Sequence, residues 1–137
     1  MASTFRNVVK ATFLVSKKEG LSDEEFRQHY TDIHAPMALE VCRRHGVLAY
    51  SIAEKETTRS AFGENAAFID CDAITTFIFP DMQSLIGSFA DPDYEARLAP
   101  DKATFCNRLK SQFAVSDEFS VVADGQEYMK RGSEFLG

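Results

Sequence analysis

A chain of 137 residues has room for one domain and little beyond it. Hydrophobic residues make up 45 %, enough for a real core, and 12 Phe with no Trp point to an interior or pocket rich in benzyl groups. A net charge of −6, with no basic cluster beyond pairs such as Lys17-Lys18 and Arg43-Arg44, excludes nucleic acid as a partner, because phosphate binding needs a basic surface.

Val8 to Ser16 (VVKATFLVS) is apolar and β-branched and reads as a first strand, closed by a turn at Lys17-Lys18-Glu19-Gly20. Ser22 and Glu25 have the spacing of a capping box, in which the serine oxygen takes a free helix amide and the glutamate reaches back. Phe26, Tyr30, Ile33 and Met37 then mark one face of a helix. Pro36 is expected to interrupt it, since its ring displaces the carbonyl four residues back and biases Ala35 away from helical angles. The prediction is a helix over Ser22–Ile33, a kink, and a second piece ending before Gly46, which suits the left-handed residue that closes a helix.

Val47 to Thr57 reads as a second strand, and 58–70 as one long loop of the kind that is often functional. Asp72 to Phe79 is the third strand. Asp81 opens a helix over Met82–Ala90 with Leu85, Ile86 and Phe89 as its stripe. Asp91-Pro92 and Ala99-Pro100-Asp101 start two short helical turns. Ser111 to Ala123 reads as the last strand, with Ser116-Asp117 as the place for a bend. The sequence shows no internal repeat, no low-complexity tract and no linker, so residues 1–125 read as one domain and 126–137 as a C-terminal tail.

The order β-α-β-β-α-β is the α+β, ferredoxin-like arrangement: an antiparallel four-stranded sheet with helices on one face. The other face needs a cover, since a bare apolar sheet is sticky. A second copy of the chain is the simplest one, giving a homodimer in which two sheets close into a barrel. Cys42, Cys71 and Cys106 are odd in number and widely spaced, with no CxxC, which fits a reducing, cytoplasmic setting. No apolar run approaches membrane-spanning length, and the N-terminus lacks a signal-peptide pattern.

The segments GLSDEEFRQHYTDIHAPMA (20–38), FIDCDAITTFIFPDMQSLIGSFADPDYEARLAPDKATFC (68–106) and FAVSDEFSVVADG (113–125) resemble the EthD family, in the style of its fungal members. The resemblance is carried by the F-x-x-H-Y-x-x-x-H-x-P core, the acidic strand and the D-P-x-Y segment. It implies the dimeric α+β barrel fold, a homodimer, and a ligand held inside the barrel. It also implies decarboxylation, dehydration or ring closure of aromatic polyketide precursors without a cofactor. The fold transfers across such a group better than the chemistry.

His34 is the first candidate for catalysis. It matches the histidine of the H-x-P pattern, and an imidazole can give or take a proton near neutral pH. The alternative is that its ring caps backbone groups freed beside the proline. Tyr30 lies four residues earlier on the apolar face. Its phenol either holds the histidine's tautomer, binds a substrate carbonyl, or serves as a core hydroxyl. His29 also matches the family pattern, whereas His45 reads as a helix C-terminal residue favoured by the dipole. Asp72 either orients His34, as a carboxylate fixes an imidazole, or stands in solvent at the strand start.

Helix-facing strand positions should be the more uniformly apolar, which assigns the Asp72/Thr76 face of the third strand to the cavity. The family often has a glutamate where Thr76 stands, so a carboxylate mechanism does not carry over there. Lys10 and Thr12 share a face of the first strand; the lysine either receives an acidic substrate or snorkels at a sheet edge. Tyr50 is a candidate wall. Phe89, like Phe77, Phe79, Phe105 and Phe113, serves either the core or a flat aromatic guest. His29 and His34 are five apart, point to different sides of an α-helix and make no metal pair. No nucleotide motif is present, so neither cofactor nor metal is expected.

Two functions of different class follow. One is a cofactor-independent lyase or cyclase acting by histidine acid–base chemistry on a small aromatic polyketide-type acid. The other is a barrel that binds or carries a small aromatic without reaction, and a cofactor-free monooxygenase is a third.

Overall fold

Ser22 starts the first helix as its spacing predicts: its Oγ accepts the Glu25 N–H at 3.0 Å and the Glu25 carboxylate accepts the Ser22 N–H at 3.0 Å. The same logic places Asp81, whose Oδ1 accepts the Ser84 N–H at 2.8 Å at the head of the later helix. The computed structural model describes residues 8–55, 63, 65, 67–118, 121–123 and 125–127. Along them run β1 (Val8–Val15), α1 (Asp23–His29), α2 (Ala35–Arg44), β2 (Ala49–Glu54) and β3 (Ala73–Phe79). After these come α3 (Met82–Ala90), α4 (Ala99–Phe105), β4 (Gln112–Glu118) and a small hairpin of β5 (Val122–Ala123) and β6 (Gln126–Glu127).

The four long strands form an antiparallel sheet in the order β2-β3-β1-β4, the ferredoxin-like α+β arrangement. Val9, Ala11, Phe13, Phe77 and Phe79 project toward the helices, where they pack with Cys42, Leu85 and Phe89. Alternation then puts Lys10, Thr12 and Thr76 on the opposite face. There the row Ser51, Thr76, Thr12 and Ala114 crosses all four strands in register. Gly46, at φ +79°, ends the helical segment as expected.

The break expected at Pro36 does not occur. Residues Tyr30–His34 form a single π-helical turn, and the Ala35 N–H bonds to the Tyr30 carbonyl five residues back. The wider turn carries the carbonyls past the proline ring, so Ala35 keeps helical angles (φ −58°, ψ −43°) and the chain continues into α2 without a break. The same device recurs at Tyr94–Leu98, where the Ala99 N–H reaches the Tyr94 carbonyl ahead of Pro100. Each turn starts at a Tyr and ends at an Ala-Pro pair, so a short Tyr-x-x-x-x-Ala-Pro repeat is present after all, once in each half of the fold.

The last long strand stays in register through Ser116 and Asp117, opposite Lys10 and Val9, and stops at Glu118; no bend interrupts it there. The loop expected over 58–70 falls largely outside the described residues, and so does the 126–137 tail after Glu127. Among the described residues no helix is long and apolar enough to cross a membrane.

Candidate active site

The first π turn decides where the histidines point. On an α-helix, side chains five apart diverge, whereas a π turn links residue i to i+5 and brings such positions nearly over one another. His29 and His34 therefore converge, against the expectation from α-helical spacing, and both meet the Asp101 carboxylate. His34 Nδ1 lies 2.8 Å from Asp101 Oδ2, and His29 Nε2 lies 2.9 and 3.1 Å from the two oxygens. Asp101 is delivered by the second Ala-Pro junction, just after Pro100 at the start of α4.

His34 is 2 % exposed, and burial pushes its pKa below the ordinary imidazole value. The hydrogen bond to Asp101 works against this shift, while the nearby Lys102 charge adds to it. The carboxylate accepts from Nδ1–H, which fixes the tautomer and leaves Nε2 with its lone pair and no protein partner among the described residues. A buried, neutral, oriented imidazole is the form in which histidine acts as a base. Phe105, 1 % exposed, supports the group, with its ring 4.7 Å from that of His29, 5.1 Å from that of His34 and 5.0 Å from that of Tyr30.

His34 lines two adjoining recesses between the sheet and the helices. The larger encloses about 330 Å³ and the smaller about 40 Å³, and both share Phe13, Phe77, Tyr94 and Lys102 as walls. The rings are arranged for a flat guest. Tyr50 stacks on Phe77 at 4.3 Å, Phe113 stacks on Phe13 at 4.9 Å, and Phe77 meets Phe13 edge-on at 5.7 Å. Cys42 and Cys106 also line the recesses, but burial pushes their thiols up to about 11 and about 12, so neither is a thiolate near neutral pH.

Tyr50 stands at the wall where it was expected, and Phe89 lines the smaller recess. Tyr30 borders the larger one, yet its hydroxyl is paired with Thr75 Oγ1 inside the core rather than with His34. Burial pushes that phenol's pKa upward, and the same holds for Tyr50. Asp72 does not orient His34. It accepts the Lys17 N–H at 2.7 Å and the Lys55 ammonium at 3.0 Å, at the far end of β3.

The two faces of the sheet divide as expected, with Lys10, Thr12 and Thr76 on the side away from the helices and Lys10 3.9 Å from Glu118. The recesses beside His34 lie on the helix side instead, walled by Phe13 and Phe77. His45 caps α2 and holds Asp91 at 2.8 Å, a structural position.

Asp101, Lys102 and Tyr94 were not singled out from the sequence. The signal that would have found them is the second Tyr-x-x-x-x-Ala-Pro, which places Tyr94 and the Asp101-Lys102 pair at positions matching Tyr30 and Met37-Ala38. Among the described residues no group of three or more His, Cys, Asp or Glu is arranged to hold a metal ion. The two imidazoles here both address the Asp101 carboxylate.

Relatives share this chain's extent. The dehydratase aurZ of Gibberella zeae is 29 % identical over 125 residues, covering 87 % of this chain and 82 % of its own. The decarboxylase claH of Passalora fulva is 23 % identical over 121 residues, covering 84 % and 79 %. Among solved structures, an EthD-family protein of Bacillus halodurans superposes with a TM-score of 0.60 at 15 % identity, over 82 % of this chain and 99 % of that one. SnoaB, a cofactor-independent oxygenase of Streptomyces nogalater, does so with a TM-score of 0.59 at 9 % identity, over 86 % and 99 %. These likenesses establish a shared fold. The EthD domain itself matches residues 18–108, well over half of the 137, and the chain belongs to the EthD family.

Proposed function

We propose that this protein is a cofactor-independent lyase or cyclase, acting on a small aromatic polyketide-type acid by dehydration, decarboxylation or ring closure. The observation that carries the reading is the buried imidazole of His34, fixed through Nδ1 by Asp101 at the wall of an aromatic cavity. The names of relatives as dehydratases and decarboxylases support it.

In a dehydration, Nε2 of His34 takes a proton from an acidic carbon or phenol, and the resulting Nε2–H returns it to the departing hydroxyl, which leaves as water. In a decarboxylation Nε2 takes the proton of the carboxylic acid, and the resulting imidazolium returns it to the ring carbon as carbon dioxide departs. Asp101 stabilises the imidazolium in either case, with His29 helping to hold the carboxylate. The phenylalanine walls keep water from competing for the proton.

The test is product analysis by mass spectrometry after mixing the protein with hydroxylated anthrone- and naphthoate-type carboxylic acids. Loss of water or carbon dioxide with the wild-type protein, absent with His34→Ala, is the expected result. Equal turnover by the variant sinks the assignment to His34. A ligand recovered bound but unchanged replaces the lyase with a carrier, and uptake of oxygen replaces it with a monooxygenase.

The proposal includes a homodimer in the cytoplasm. The small side chains of Ser51, Thr76, Thr12 and Ala114 leave room for a second sheet to lie across the face that the helices do not cover. Sedimentation that finds only monomer at micromolar protein would remove that part.

A further inference from the structure

Lys102 is an ammonium with an unusual setting. Its Nζ donates to the Tyr94 hydroxyl at 3.1 Å and sits over two rings, 5.2 Å from the centre of Phe13 and 5.1 Å from that of Tyr94. It lines both recesses together with His34. Among the described residues no carboxylate comes within ion-pair distance of it, because its neighbour Asp101 is taken up by the two histidines. Arg108, which also borders the larger recess, has no ion pair among the described residues either. Among the described residues, a chain of net charge −6 thus presents at its aromatic cavity two cations with no carboxylate partner. Aromatic faces favour a cation, yet an ammonium held against them keeps donors to spare, and those donors call for an anion.

We infer that Lys102, steadied by Tyr94, is the anchor for the carboxylate of an aromatic acid, and that this carboxylate survives the reaction. The inference rests on the lyase reading and narrows it. An ammonium paired with a carboxylate stabilises the reactant, and that stabilisation is lost as the charge departs with carbon dioxide, so the pairing opposes decarboxylation. Held at Lys102, the acid instead offers another part of its ring system to Nε2 of His34, where removal of a proton and loss of hydroxide as water leave the carboxylate untouched. The pairing therefore points to a dehydratase, or to a cyclase that expels water.

The test compares binding of a hydroxynaphthoate and its methyl ester by calorimetry, with the wild-type protein, Lys102→Met, Lys102→Arg and His34→Ala. The wild type should prefer the acid by about tenfold or more, as expected for one charge-assisted hydrogen bond. Lys102→Met should lose that preference, and Lys102→Arg should keep most of it. His34→Ala should bind with the wild-type preference while turning nothing over, which separates failure of the anchor from failure of the catalytic reading. Equal affinity for acid and ester in the wild type overturns the inference without recourse to any variant, and so does binding of neither. A product that has lost carbon dioxide overturns the survival of the carboxylate.

Discussion

The two Tyr-x-x-x-x-Ala-Pro junctions are mechanically alike and chemically opposite. Each spends five residues in a π turn ahead of a proline and then resumes an α-helix. The first ends its turn on His34 and follows the proline with Met37 and Ala38; the second ends on Leu98 and follows with Asp101 and Lys102. One half of the fold therefore supplies the buried imidazole, and the other supplies the carboxylate that orients it and the ammonium beside it. Leu98 packs with Ala38 and Val41 in an apolar cluster that also borders the smaller recess, while His34, at the equivalent position, brings an imidazole to both recesses. A backbone device used twice thus carries two jobs, because the residues displayed on it differ.

The sharpest way to break the comparison is to truncate the equivalent positions in turn. His34→Ala should lower kcat about a thousandfold while the protein stays folded. Leu98→Ala should instead cost about 2–5 kcal/mol of stability. A collapse of activity in Leu98→Ala with stability retained would erase the contrast. Phe105→Ala removes the ring that touches both histidines and Tyr30, and should cost about 3–5 kcal/mol, read as a lowered Tm.

Asp101→Asn keeps the shape but removes the charge, so kcat should fall about a hundredfold. The carboxylate raises the His34 pKa, so its loss should also move the acid limb of the rate profile to lower pH. An unmoved limb would show that Asp101 does not address the base.

Acidity alone offers a gentler probe of the first junction. Burial depresses the His34 pKa in the fold, so the unfolded chain takes up this proton first as pH falls. The contribution of His34 to stability is therefore full above the ordinary imidazole value of about 6.5 and declines below it. Urea unfolding in the wild type and His34→Ala should show this slope only in the former. The smallest effect is expected from Pro36→Ala, which lets α geometry return. Stability should change by no more than about 1 kcal/mol, while kcat drops severalfold as His29 and His34 diverge. Full activity there would mean that the π turn does not need its proline.

Much of the architecture was readable from local signals. Ser22 with Glu25, Asp81 before Met82 and Gly46 after α2 mark element ends through backbone hydrogen bonding, which depends on neighbours in sequence and so survives without the fold. The family pattern points to His34 and His29, and a strand aromatic to Tyr50; the fold brings His34 and Tyr50 to the larger recess and His29 to Asp101. The π turns were not. A proline in a helical pattern has two outcomes, a break or a wider turn, and the packing of Tyr30 and Phe105 around the turn belongs to the folded state.

The order of elements, the antiparallel four-stranded sheet, the aromatic character of the interior and His34 as a candidate were all legible in the chain. Only the tertiary structure decided which carboxylate meets that imidazole. Asp72 and Asp101 were equally available in the chain, and only the fold brings Asp101 across 67 residues to 2.8 Å from His34. It also opened a recess on the helix side of the sheet, between Phe13, Phe77 and the helices, where the apolar pattern by itself reads as closed core. Both are choices between contacts distant in sequence, and such contacts are settled by packing rather than by any local preference.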